Sequence, residues 1–166
     1  AQFNYALWLR EGRVEEANPT EAMEWFKVSA NKNFDRSLIE LGKGYESGVA
    51  GRRDYREAVK LYRRARANDS KRDNSPYLKA TYHLGRLYLK GLGVSQDTKK
   101  GLKFIREAAN GKVNLALIEM GRISEEGIYL NKDLNSALNY FLEAKNNGFL
   151  DSEVDIDRIK TKMGSR

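Results

Sequence analysis

The sequence predicts an all-α fold, a right-handed solenoid of about four helix-turn-helix repeats closed by a C-terminal capping helix. Three observations predict it. Small residues recur at Ala22, Ala58, Gly101 and Ala137, with spacings of 36, 43 and 36 residues. A glycine stands ten residues before each of these, at Gly12, Gly48, Gly91 and Gly127, and a helix-starting polar residue four before, at Asn18, Asp54, Asp97 and Asp133. Six residues ahead of each glycine lies another small residue, Ala6, Gly42, Gly85 or Gly121. A period of this length kept in four columns marks stacked supersecondary units that bury their apolar faces against one another.

Each element follows from local chemistry. The first helices of the units are expected over 1–12, 35–47, 77–90 and 113–126. Inside them Gly42, Gly85 and Gly121 interrupt an apolar-periodic stretch, where a missing side chain lets a neighbouring helix approach closely and outweighs glycine's cost of ~1 kcal/mol. The later glycine ends the helix by taking the left-handed position. The second helices are expected over 18–31, 54–68, 97–110 and 133–147. Asn18 before Pro19 is a cap followed by a proline tolerated at the first helical position, and Asp54 with Glu57 forms an acidic capping box. Each second helix then carries a small residue and, three and four positions on, a bulky pair: Trp25-Phe26, Leu61-Tyr62, Phe104-Ile105 and Tyr140-Phe141. That is one helical face. A last helix is expected from Ser152 to Met163.

The repeats therefore run at about 1–33, 34–69, 77–112 and 113–148, within a single domain over 1–166. The seven extra residues of the middle spacing fall in a polar insertion at 69–76, read as a loop or an extension of the preceding helix. The repeat resumes in phase, so no domain boundary is expected there.

Composition narrows the function. The 166 residues are 40% hydrophobic and 32% charged, with no cysteine and a single histidine, His83. Disulfides, thiolate metal sites and cysteine nucleophiles are excluded by count, and no cofactor or metal site is expected. No apolar run approaches the ~20 residues of a membrane span. The chain begins at Ala1 rather than Met, which reads as a processed or trimmed product. The compartment stays open between a bacterial envelope or periplasm and a eukaryotic secretory or cytosolic setting. A net charge of +7 favours an acidic partner.

The segment Leu84-Gly85-Arg86-Leu87-Tyr88-Leu89-Lys90-Gly91-Leu92-Gly93-Val94-Ser95-Gln96-Asp97, followed by Gly101-Leu102-Lys103-Phe104-Ile105-Arg106-Glu107-Ala108-Ala109, resembles a Sel1-like repeat, a relative of the tetratricopeptide repeat. The second and fourth units resemble it clearly. The first departs most, with Trp8 in the place of Gly44 and Arg13 to Ala17 replacing a glycine-valine loop. The resemblance covers roughly residues 1 to 148. It implies an α-solenoid scaffold that holds partner proteins together without catalysis.

Candidate chemistry is thin outside that reading. His83, beside Leu84 and in register with Glu40 and Glu119, reads as a helix-packing or surface histidine, since it lacks the nucleophile and orienting partner that base catalysis needs. Gly91-Leu92-Gly93 joins two helices and lacks the Lys-Ser/Thr ending of a phosphate loop. The adjacent acids Glu125-Glu126 and Glu15-Glu16 diverge on a helix and read as solvated. No catalytic residue is assigned, and the chain is read as non-enzymatic.

Two features carry binding expectations. In tetratricopeptide-type solenoids the residue after the Leu-Gly pair faces the concave groove, and here that column is Leu7, Lys43, Arg86 and Arg122. One turn earlier stand Arg36, Lys79 and Leu115, while Ile39, Tyr82 and Ile118 supply apolar contacts. Arg36, Lys43, Lys79, Tyr82, Arg86 and Arg122 are thus the expected partner-binding residues, suited to a carboxylate-bearing protein segment. The second feature is the basic stretch from Arg52 to Arg72, on which Arg56, Lys60 and Arg63 form one outward stripe read as a solvated convex face. The function expected is a protein-interaction adaptor binding an acidic segment. The alternatives are an immunity-type neutraliser of one effector protein and, from another class, an electrostatic binder of nucleic acid or an anionic membrane surface. Without exposed aromatics between its cations, the stretch does not favour nucleic acid.

Overall fold

Helices account for most of the chain in the computed structural model, which describes residues 1–13, 16–49, 51–68 and 75–164. They are α1 (Gln2–Glu11), α2 (Pro19–Asn31), α3 (Asp35–Ser47), α4 (Tyr55–Ala67), α5 (Ser75–Lys90), α6 (Thr98–Asn110), α7 (Asn114–Glu126), α8 (Leu134–Asn146) and α9 (Ser152–Gly164). No strand occurs among the described residues. Each helix packs on its neighbours in sequence, and α3 also touches α5, so the odd-numbered A helices and even-numbered B helices build an all-α repeat solenoid. Among the described residues, no helix is long and apolar enough to cross a membrane.

The caps do what their side chains allow. Asn18 accepts from the Glu21 amide, Asp54 from those of Arg56 and Glu57, Asp97 from that of Lys100, and Asp133 from those of Asn135 and Ser136. Each satisfies donors that a helix start otherwise leaves unpaired. Gly12, Gly48, Gly91 and Gly127 follow the A helices with φ of 69°, 90°, 67° and 75°, in the left-handed region. A second left-handed column closes B helices, at Asn33, Lys112 and Gly148. Only one of its members is a glycine, so the sequence does not advertise it.

Helix ends lie within one residue of expectation except at α5, which begins at Ser75 and takes Ser75 and Pro76 out of the expected insertion. Pro76 is buried in the first turn, where its missing N–H has no partner to lose. Residues 69–74, the rest of that insertion, lie outside the described residues, as do Val14 and Glu15 of the first connection.

A and B helices meet at one recurring contact. Phe26, Tyr62, Ile105 and Phe141 occupy the same position in successive B helices and all are fully buried. A Cβ on Gly42 would stand 2.6 Å from Tyr62, one on Gly85 2.6 Å from Ile105, and one on Gly121 2.6 Å from Phe141. At Gly85 the Gly101 carbonyl and the Ile105 amide also stand at 3.0 Å, so backbone itself would have to move. The small residue opening each B helix, Ala22, Ala58 or Ala137, is likewise fully buried.

α9 begins as the A helix of a further unit. Ser152 and Ile156 are buried where Ala116 and Met120 are buried in α7. The glycine column there reads Asp157, which is exposed.

Gly85→Leu should overpack the α5–α6 contact and lower the free energy of unfolding by ~1–3 kcal/mol. Gly164→Ala, with no atom near its added methyl group, should not lower it. Urea unfolding of both variants checks this, and equal stability would contradict the packing account.

Candidate functional site

Three abutting depressions run along the A helices. One of about 350 Å³ is lined by Leu7, Arg10, Arg36, Ile39, Glu40 and Lys79. The next, about 560 Å³, shares Glu40 and Lys79 with it and adds Lys43, Leu78, Tyr82, Lys112 and Leu115. The third, about 390 Å³, shares Lys43 and His83 with the second and adds Glu46, Arg53, Arg86 and Lys90. Five of the six expected residues, Arg36, Lys43, Lys79, Tyr82 and Arg86, therefore line one groove. The sixth, Arg122, is exposed on α7 and belongs to none of these three linings.

The cations are not equivalent. Arg86 stands 3.6 Å from Glu46 on the preceding A helix and lies 5.8 Å over the Tyr82 ring. Lys43 is held at 2.8 Å by Glu40, which also takes Arg10 at 2.5 Å. On the last helix Arg158, in the same column as Lys43, Arg86 and Arg122, grips Glu125 with two hydrogen bonds of 2.8 and 2.7 Å, and Lys162 adds a third at 2.8 Å. Glu46 and Glu125 occupy one column of the A helices, so a carboxylate in one unit holds the cation of the next. In α5 that column is Leu89, buried at 1% exposure, and Arg122 has no such carboxylate opposite it.

The Sel1 repeat family profile matches this chain four times, at residues 1–34, 36–70, 78–112 and 114–149. The chain belongs to the Sel1 repeat family. Sel1 repeats generally mediate protein–protein interactions, and their scaffold is typically non-catalytic. Among proteins of described role, the chain is similar to the chitin synthase regulator SKT5 of Saccharomyces cerevisiae, 26% identical over 117 residues that make up 68% of this chain and 16% of that protein. The chain thus spans about a sixth of that relative's length. Its fold is similar to that of a Sel1 repeat protein from Oxalobacter formigenes, with a TM-score of 0.75 at 24% identity over 95% of this chain and 61% of that one. A protective antigen present in uropathogenic Escherichia coli strains is similar with a TM-score of 0.70, at 26% identity over 91% of this chain and 31% of that one.

Several Sel1 side chains sit deeper than their sequence positions suggest. Tyr82 is 6% exposed, and Ile39 and Ile118, expected to offer apolar contacts to a partner, are 3% and 7% exposed. Each belongs to the buried core clusters. His83 is buried and stacks on Tyr62 with ring centroids 4.8 Å apart. Its Nδ1 lies 3.5 Å from Glu46, without a well-aligned hydrogen bond. Burial pushes its pKa down, against the pull of Glu46. Burial pushes the Glu46 carboxyl up, but His83, the Tyr62 hydroxyl donating at 2.6 Å and Arg86 outweigh it and hold it below the ordinary range. Gly91 caps α5, and Gly93 packs on the Tyr55 carbonyl of α4, so that pair serves helix packing.

One expectation changes. Glu125 is not solvated: it is 5% exposed, because α9 closes over it and brings Arg158 and Lys162. Glu126 beside it is exposed, as expected, and Glu15 lies outside the described residues. In the basic stretch Arg56, Lys60 and Arg63 are all exposed, as expected of one outward stripe, and Arg63 also donates to the Tyr88 hydroxyl at 2.7 Å. Arg64 donates to the Ala30 carbonyl and Asn33, and Arg66 to Thr81 and Tyr77. These three stitch α4 to adjacent units. Lys71 and Arg72 lie outside the described residues. Glu46 and Glu125 each stand four residues after Gly42 and Gly121, and Arg86 and Arg158 one after Gly85 and Asp157, yet nothing in one helix shows that the next lies within reach.

The Glu125 carboxyl is held at about 2, below its ordinary 4.5, first by the Arg158 hydrogen bonds and then by Lys162, against burial. Because its native pKa is lowered, its contribution is complete above about pH 4.5 and is lost as the pH falls toward 2. Glu125→Gln should lower the free energy of unfolding by about 2 kcal/mol at neutral pH and by much less in strong acid. Urea titrations at the two extremes check the sign, and an equal loss at both would contradict it.

Proposed function

We propose that this Sel1 chain is a non-enzymatic scaffold that takes an acidic segment of a partner protein along its A-helix groove. The observation that carries the reading is the charge of the central depression. Lys43, Lys79 and Lys112 are exposed at its edge. Its carboxylate, Glu40, is already satisfied by Arg10 and Lys43. Leu115, 49% exposed, stands beside them as an apolar anchor. Cations next to an exposed leucine suit a segment in which carboxylates alternate with apolar side chains.

The partner-binding set divides by role. Lys43, Lys79 and Arg122 meet carboxylates, with Arg36 at the first depression. Arg86 and Tyr82 form the floor, since Arg86 serves Glu46 and covers Tyr82. A helical scaffold of this kind is largely preformed, so little ordering entropy is lost on docking. The yeast relative is described as a regulator of chitin synthase, which is consistent with a Sel1 region acting on another protein.

Titration of the chain with a labelled peptide of alternating Glu and Leu tests the reading. Lys79→Glu with Arg122→Glu should weaken binding by at least ~2 kcal/mol, while Arg56→Glu with Lys60→Glu should change it by under ~1 kcal/mol, as for screened surface charges. The opposite ranking would move the site to the α4 stripe and favour the electrostatic-binder alternative.

A further inference from the structure

Between α4, α5 and α6 lies a pocket of about 170 Å³ that shares no lining residue with the groove. Its aromatic walls are Tyr88 and Phe104, edge to face with centroids 5.9 Å apart. Three cations converge on them. Lys100 Nζ stands 4.3 Å from the Tyr88 ring centroid, the Arg66 guanidinium 4.4 Å over Phe104, and Arg63 donates to the Tyr88 hydroxyl at 2.7 Å. Glu107 answers one of these charges, 3.5 Å from Arg66, and its other oxygen accepts from Tyr77. Among the described residues neither Arg63 nor Lys100 has a carboxylate at ion-pair distance, so two positive charges face the pocket without compensation.

We propose that this pocket binds the dianionic phosphoryl group of a phosphate or phosphate monoester. Two uncompensated cations match a doubly charged oxyanion, whereas a carboxylate or a phosphodiester would neutralise only one of them. Tyr88 accepts from Arg63, which leaves its own O–H to donate to a ligand oxygen. Burial pushes the Tyr88 phenol up, yet Lys100 and Arg63 outweigh it and lower its pKa, as an unbalanced positive potential requires. The volume of the half-open pocket suits one tetrahedral oxyanion with a short ester stem. The aromatic walls hold the long cationic side chains in place before the ligand arrives, which lowers the ordering cost of binding.

The test is a nuclear magnetic resonance titration of the full chain with inorganic phosphate, phenyl phosphate, dimethyl phosphate and acetate at one ionic strength. Saturable binding is expected for the first two, at least about tenfold tighter than for the singly charged dimethyl phosphate and acetate. Phenyl phosphate binding tighter than inorganic phosphate would assign an esterified ligand, and equal binding the free ion; both support the site. Arg63→Gln with Lys100→Gln should lose about tenfold or more in affinity. Lys100→Met, which keeps an apolar stem over both rings and guards against misfolding, should lose several-fold, while Lys79→Glu with Arg122→Glu should lose nothing. Dimethyl phosphate or acetate binding as well as the dianions, or unchanged phosphate binding in folded Lys100→Met, would overturn the proposal and leave the three cations as packing on aromatic faces.

Discussion

The solenoid depends on how closely an A helix approaches its B helix. At Gly42, Gly85 and Gly121 the backbone of one helix lies against a Tyr, Ile or Phe side chain of the next, with no room for a methyl group. A glycine within a helix costs stability on its own, and it is tolerated because the approach buries a large side chain completely. The rest of the repeat serves this contact. The cap fixes where the B helix begins and the left-handed glycine fixes where the A helix ends, so the ring and the gap meet in register. In α9 the same column holds an exposed Asp157 instead of a glycine.

With A and B helices locked in pairs, the A helices stand side by side and their outward columns face one another. Coupling between units then becomes electrostatic as well as apolar. Glu46 with Arg86, at 3.6 Å, and Glu125 with Arg158, hydrogen-bonded at 2.7 Å, pair the same two columns at two junctions. A buried or half-buried pair of this kind is costly to break, because its surviving partner is left uncompensated. Where the acidic column lacks a carboxylate, as at Leu89, the next cation of the row, Arg122, is one of those proposed to meet a partner. Leu89 in the acidic column is what separates Arg122 from Arg86 in role. One pattern of alternation thus supplies both the adhesion of the stack and the charge of its groove.

Much of this was legible in the sequence, because it is local. Caps such as Asp133, helix-ending glycines such as Gly127 and the aromatic face of Tyr140-Phe141 are decided within a turn or two of helix. The groove residues were legible as a column, since a fixed offset from a glycine fixes an angular position on the helix. What a column does not contain is depth. Tyr82 and Lys79 share a helix and lie three residues apart, yet the first is core and the second exposed, because packing of other elements, not angular position alone, sets depth. The roles of Glu125, Arg63 and Arg66 were hidden for the same reason: their partners lie on other helices, at distances set by packing. The left-handed turns at Asn33 and Lys112 were hidden because their residue types do not demand that geometry.

A double-mutant cycle at α7 and α8 tests the central claim most directly. If the missing side chain of Gly121 exists to admit the Phe141 ring, then Gly121→Ala alone should be strongly destabilising, and Phe141→Leu in the same chain should relieve much of that loss. The account predicts a favourable coupling of ~1 kcal/mol or more between the two sites, of the size found for residues in direct contact. Strict additivity of the two substitutions in urea unfolding would contradict it.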